Sequence, residues 1–233
     1  MTNELNPGLI IILGALLVPL LPGRVLRGAY MLALPVAAFV YLLGLPMGEM
    51  GQIELMDLSL VTLRVDKLSF VFGTIFLIAT ALGVIYALHV GDWVQHTAGL
   101  IYAGSAIGAV FAGDFVTLFI FWEITAISSV FLVWASGTTS AMAAGLRYLV
   151  IQVGSGVILL AGVLMHYSDT GSIAFGAMGT ETLAAKLILI AFGIKCAFPL
   201  LHNWLQDAYP QATVTGTVML SAFTTKLAVY ALA

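Results

Sequence analysis

The sequence predicts an all-α integral membrane protein of about eight transmembrane helices, each near the roughly 20 apolar residues that cross a bilayer's hydrocarbon core. Two figures and one pattern carry that reading. Of 233 residues 61% are hydrophobic and only 8% are charged, against about a quarter charged in an ordinary soluble domain. The charges also gather between long apolar stretches. So few charges cannot cover a globule in water, whereas lipid accepts apolar faces all round a bundle.

Cut at its charges, prolines and glycine clusters, the chain gives spans at Pro7 to Leu21, Val25 to Leu45, Leu68 to Val90, Ala98 to Gly113, Phe115 to Ala135, Tyr148 to Tyr167, Leu183 to Leu200 and Ala212 to Ala233. One connection differs from the rest. Met47 to Lys67 holds Glu49, Glu54, Asp57, Arg64, Asp66 and Lys67 with partial apolar alternation, the pattern of a short extramembrane hairpin after the second helix. With no repeat and no linker visible, residues 1–233 read as one transmembrane domain. Helices one and two fill 1–46, the hairpin 47–67, helices three and four 68–113, and helices five to eight 115–233.

The net charge of −3 and the scattered basic residues exclude the clustered positive footprint that nucleic acid demands. The one cysteine, Cys196, supplies neither a disulfide framework nor paired thiolates. None of His89, His96 and His166 has a partner at metal-ligand spacing, so no metal site and no bound cofactor are expected. Arg24, Arg27 and Arg147 balance Arg64, Lys67 and Lys186 across the membrane. The histidines His89, His96 and His202 tip the choice towards an external N-terminus.

Three charges fall inside the spans. Glu123 lies mid-span in Phe121-Trp122-Glu123-Ile124, where an ionised carboxylate costs at least about 3 kcal/mol unless it is paired, hydrated or protonated. It must therefore face the bundle interior, with the small Ala126 leaving room beside it. Lys195 is central in the seventh span, in Gly193-Ile194-Lys195-Cys196-Ala197-Phe198-Pro199. Pro199 has no N–H for the carbonyl four residues back, which is that of Lys195, so the helix should break at its central charge. Broken helices at membrane depth recur at ion sites, because the freed backbone needs protein or water to face. Lys226 lies in the last span on a stripe with Thr215, Met219 and Ala222. Lys186, near a helix end, serves as an anchor that reaches the interface.

Leu201 to Pro210 is polar on one side and aromatic on the other, and suits a short interfacial helix. Within it His202 could hand protons between water and Lys195, or His202 and Asp207 could cap helix ends and anchor the loop around Trp204. On the sixth span Tyr148, Gln152 and Ser155 share a face. They could order water or simply hydrogen-bond neighbouring helices. A carboxylate and lysines in one low-dielectric bundle are coupled titrating groups, which suits proton or cation movement. A static buried Glu–Lys pair that fixes packing is the plainer alternative.

Taken together, these residues resemble the antiporter-like membrane subunits shared by Mrp-type multisubunit Na+/H+ antiporters, closest to their D-type chain, and the proton-pumping arm of respiratory complex I. The resemblance is to the N-terminal half of those proteins. It is strongest over Gly193 to Ala231, through the lysine, Phe198-Pro199-Leu200, the His202-to-Pro210 segment and Thr225-Lys226-Leu227-Ala228-Val229-Tyr230. Phe121-Trp122-Glu123 and Val65-Asp66-Lys67-Leu68-Ser69 add to it. Gln206 stands where the family usually has proline.

The resemblance implies that Glu123 modulates the protonation of Lys195 on the broken seventh helix, and that Lys226 passes protons onward. It implies a proton-translocating subunit of a Na+/H+ antiporter in the cell (inner) membrane, with other membrane subunits, protons and Na+ as partners. The alternatives are a proton-pumping subunit of a quinone- or hydrogenase-linked complex, as in translocases of the NADH:quinone oxidoreductase type, and a non-conducting assembly subunit. Such families carry a second, inverted half. This chain is accordingly expected to be split or truncated and to need partner subunits.

Overall fold

The computed structural model describes residues 4–55 and 58–233; Asp57, counted among the hairpin's charges, lies outside them. The chain is mostly helical: α1 (Pro7–Ala15), α2 (Arg24–Gly44), α3 (Lys67–Ala87), α4 (Trp93–Val110), α5 (Phe115–Trp134), α6 (Thr139–Thr170), α7 (Leu183–Cys196), α8 (Asn203–Ala208) and α9 (Val214–Leu232), with strands β1 (Gly48–Leu55) and β2 (Leu58–Val65) between α2 and α3. Four of these helices, α2, α3, α5 and α6, are both long and apolar enough to cross a membrane. The apolar α1 continues as a 3-10 turn at Val18–Leu20.

Because most of these helices are apolar on every side, amphipathic patterning does little to mark where they begin. Side-chain caps do it instead. Asn6, Asp66, Asp92, Asp114, Thr138, Thr182 and Thr213 each precede a helix and accept a hydrogen bond from a first-turn amide that has no partner in the helix itself. At α3 the cap is reciprocal: the Ser69 amide donates to Asp66 and the Asp66 amide donates back to the Ser69 hydroxyl, both at 2.8 Å. Arg64 also pairs with Asp66 at 2.9 Å. Partial burial opposes ionisation of Asp66, but the Ser69 amide and the Arg64 guanidinium hold its carboxyl below the ordinary value.

The expected spans shift at their ends. α4 begins at Trp93, five residues before the expected Ala98, because Asp92 supplies a cap there. α6 begins at Thr139 rather than Tyr148, since Thr138 caps a helix-compatible run that contains no proline. It reaches 32 residues, about 48 Å at 1.5 Å per residue and more than a hydrocarbon core needs. α7 stops at Cys196 rather than Leu200.

The hairpin is antiparallel, with Gly48 opposite Val65 and Leu55 opposite Leu58. Two buried side chains help bolt it to the helices. Buried Asn6 donates from Nδ2 to the Thr62 carbonyl at 2.9 Å and the Gly108 carbonyl at 3.0 Å. Buried Asp114 caps α5 through the Thr117 amide at 2.7 Å and accepts from the Val61 amide at 2.6 Å. Behind it α1 and α4 meet backbone to backbone: a Cβ on Gly8 would collide with the Gly104 carbonyl oxygen, so only glycine allows the approach. α4 is buried along most of its length, and around it the other helices hold α5 at a fixed depth.

Asp114→Ala removes a helix cap and a hairpin anchor together. It should destabilise the fold by about 2 kcal/mol or more, read as a fall of several degrees in the thermal unfolding midpoint of the purified protein, with Asp114→Asn falling less.

Candidate functional site

α6 packs against both α5 and α7, and Glu123 belongs to α5 and Lys195 to α7. Lys195, on the last turn of α7, has no exposed surface. Its Nζ donates to the Trp122 carbonyl oxygen of α5 at 3.0 Å and stands 4.1 Å from the centre of the Trp122 ring. A charge-assisted bond and a desolvated cation–π contact are worth about 2 kcal/mol each, which offsets part of the cost of burial. Phe192 packs on the same indole at 5.2 Å, and the indole N–H reaches Ser155 on α6 at 3.3 Å.

Glu123 follows Trp122 and turns towards α6. Its Oε1 is buried without a hydrogen-bond partner, and it occupies the place that a side chain at Gly156 would fill. Among the described residues the ion pairs within 4.0 Å are Arg64 with Asp66 and Arg147 with Asp207. Glu123 and Lys195 therefore form no contact ion pair, although Lys195 bonds the carbonyl of the residue next to Glu123. A buried ammonium and a buried carboxylate oxygen without direct pairing form an arrangement whose energy changes sharply when either gains or loses a proton.

α7 ends at this lysine for identifiable reasons. Pro199 cannot continue the ladder to the Lys195 carbonyl. Ala197 turns left-handed at φ 59°, as does Leu200 at φ 73°, a conformation costing about 1 kcal/mol for a residue with a Cβ. The Phe198 amide closes back on the Gly193 carbonyl at 2.9 Å, and the buried Trp204 indole N–H donates to the Ile194 carbonyl at 2.9 Å. α8 thus covers the broken end. Asp207 ties α8 to α6 through two bonds to Arg147, at 2.7 and 2.8 Å. His202 stands at the cap position just before α8 without a side-chain capping bond, whereas Asp207 is held by Arg147.

The other candidates fall in different places. Tyr148, Gln152 and Ser155 are all buried on the inner face of α6. Tyr148 bonds Ser129 at 2.8 Å, Ser155 donates to the Gln152 carbonyl at 2.6 Å, and both polar atoms of the Gln152 amide are buried without a partner. Lys226 is not in this pocket. It is exposed, and its ammonium donates to the Ser221 carbonyl of its own helix at 2.6 Å. Thr215 and Met219, on its stripe, are buried, but the cover does not extend along α9 to Lys226.

Sequence reasoning misses Gly156, Trp122 and Arg147. An isolated glycine in a helix advertises no particular neighbour, and the Arg147–Asp207 contact joins residues 60 positions apart. Trp122 is visible only as the residue beside Glu123, and its carbonyl is invisible to any reading by side chain.

The arrangement is an apolar helical bundle built around a broken helix with a buried lysine at the break. Residues 112–233 match the family described as NADH:quinone oxidoreductase/Mrp antiporter, TM, and the chain belongs to that family. It is 31% identical to the NADH-quinone oxidoreductase subunit M of Escherichia coli K12 over 147 residues, covering 55% of this chain and 29% of that protein. It is 27% identical to the D-type chain of the Na(+)/H(+) antiporter of Bacillus subtilis over 135 residues, covering 54% and 27%. Among solved structures, a chain of an archaeal membrane-bound sulfane sulfur reductase superposes with a TM-score of 0.85 at 26% identity, covering 98% of this chain and 40% of that one. The chain spans less than a third of the length of these two curated relatives.

The Arg147 guanidinium holds the Asp207 carboxyl below its ordinary value. A carboxyl depressed on folding contributes stability above the unfolded value, near ~4, and loses it as pH falls through the folded one. Asp207→Asn should therefore lower the unfolding midpoint at pH 7, and the gap from wild type should close below about pH 4. A gap that persists unchanged in acid would contradict the pair's role.

Proposed function

We propose that this chain is a proton-translocating membrane subunit of a multisubunit Na+/H+ antiporter in the cell membrane. It crosses the bilayer about eight times, with its N-terminus outside, and works with partner membrane subunits. The observation that carries the reading is Lys195: a side chain with no exposed surface, its Nζ held by a carbonyl and an indole face rather than by a carboxylate. A lysine kept only for packing gains most from a direct ion pair, whereas one that must lose and regain its proton is served by a polarisable cage with a carboxylate at a distance.

In this reading Glu123 sets the field at Lys195. When Glu123 is ionised the ammonium is favoured; when it is protonated or shielded, Lys195 releases its proton. The broken end of α7 lets that proton leave towards polar backbone and water, with His202 near the α8 surface as an acceptor. Lys226, exposed on α9, passes charge sideways to whatever element covers that face. No bound cofactor is required, since an ion gradient supplies about 2.3 kcal/mol per charge per 100 mV.

A second reading, a proton-pumping subunit of a respiratory or quinone-linked complex, draws support from the likeness to subunit M and to the sulfane sulfur reductase. It assigns the same residues the same roles and changes only the energy source. The partner chains that purify with this subunit separate the two.

In membrane vesicles carrying the intact assembly, Lys195→Ala should abolish proton translocation while the assembly still forms, and Lys186→Ala, at the exposed start of α7, should leave it unchanged. Glu123→Gln removes charge and keeps shape, so the pH profile of transport should move to lower pH as the ammonium loses its support. Wild-type transport in an assembled Lys195→Ala complex would leave a scaffolding role.

A further inference from the structure

The inner face of α6 carries polar groups that neither the helix nor the packing explains. Gln152 has no exposed surface, and both its amide atoms are buried without a partner. Such a group is costly to bury, and keeping it calls for a reason such as a water-mediated link. One turn towards the helix start lies Tyr148, whose hydroxyl pairs with Ser129 at 2.8 Å. One turn the other way lies Gly156, the clearance for the Glu123 carboxylate, whose Oε1 is likewise unpartnered. Residues four apart on a helix share a face, so Gln152 stands between a hydroxyl and a carboxylate on one stripe. Ser155, on the same face, takes the indole N–H of the tryptophan whose carbonyl holds Lys195.

Beyond Tyr148 the polarity continues. Tyr102 and Thr224 share a bond of 2.6 Å, and Tyr102 and Tyr209 both donate to the Leu220 carbonyl at 3.1 and 2.9 Å. All are buried. Tyr209 packs on Trp204 at 5.9 Å and Trp204 on Tyr148 at 5.6 Å, so the cluster ends beneath α8 and the Arg147–Asp207 pair.

We propose that Gln152 is a positioning residue that joins this buried tyrosine–threonine cluster to the Glu123–Lys195 pocket, making the inner face of α6 the route by which protons reach Lys195. The inference rests on the proton-translocating reading above. The amide neither gains nor loses a proton. It donates at one end and accepts at the other, and so orients the water that carries the proton between Tyr148 and the pocket. The proton ends on the neutral Lys195 amine, giving the ammonium, and leaves the water that delivered it. Gly156 belongs to the same device, since any side chain there displaces the carboxylate from this stripe.

The test uses vesicles bearing the whole assembly, with proton uptake followed across pH in H2O and D2O. Gln152→Leu keeps bulk and removes both polar ends. It should slow uptake on the order of tenfold, the effect of losing one linking interaction, and enlarge the solvent isotope effect. Gln152→Ser, which leaves room for water, should recover part of the rate. An assembled Gln152→Leu complex with wild-type rate and pH profile overturns the proposal, as does Gln152→Ser failing to the same degree as Gln152→Leu. Should Gln152→Leu not assemble, Tyr148→Phe keeps the ring against Trp204 and must still slow uptake severalfold; an unchanged rate overturns the proposal equally. Lys195→Ala, measured alongside, separates the two levels. If it is silent the proton-translocating reading fails, whereas if it abolishes uptake and the α6 variants are silent, only this inference fails.

Discussion

A lysine ammonium shut away from solvent in an apolar bundle has to draw its stabilisation from fixed groups, and here these are the Trp122 carbonyl at 3.0 Å and the Trp122 indole face at 4.1 Å. Both belong to α5, while the lysine belongs to α7. The position of α5 relative to the broken end of α7 is therefore the constraint on which the rest of the molecule depends. A displacement of about an ångström would leave a buried cation uncompensated, at a cost of about 3–5 kcal/mol.

Much of the remaining architecture holds those two elements in place. The start of α5 is fixed by Asp114, which also holds the hairpin, and Asn6 ties the hairpin to both α1 and α4. At the other side α8 caps the broken helix through Trp204 and is itself held to α6 by Arg147 and Asp207. Glycines set the closest approaches: Gly8 against Gly104 brings α1 onto α4, and Gly156 lets α5 project a carboxylate towards α6. The two left-handed residues, Ala197 and Leu200, carry their strain at the break, where a chain that must expose backbone beside a charge has reason to accept it.

Several of these features are legible in the sequence because they violate a rule. A glutamate in Phe121-Trp122-Glu123 and a lysine four residues before Pro199 stand out against apolar surroundings, and a charged, alternating stretch at 47–67 stands out against helices. Hydropathy misplaces the starts of α4 and α6 because it marks where lipid contact begins, whereas Asp92 and Thr138 mark where the helix begins. Periodicity groups Lys226 with the buried charges because it gives a stripe without saying which neighbours cover it along its whole length. Gly156 and the Arg147–Asp207 pair are not legible, since a glycine's clearance and a contact across 60 residues exist only once the helices are packed.

The central claim is that Glu123 and Lys195 serve one proton path without a contact ion pair, and that Gln152 on α6 links the buried tyrosine–threonine cluster to them. A density map of the intact assembly, fine enough to show ordered water, tests it most directly. The account predicts water bonded to the Glu123 carboxylate and the Gln152 amide, with the Lys195 ammonium on the Trp122 carbonyl. A dry interface with the carboxylate and the ammonium in direct contact, or with the two on faces that do not meet, would contradict it.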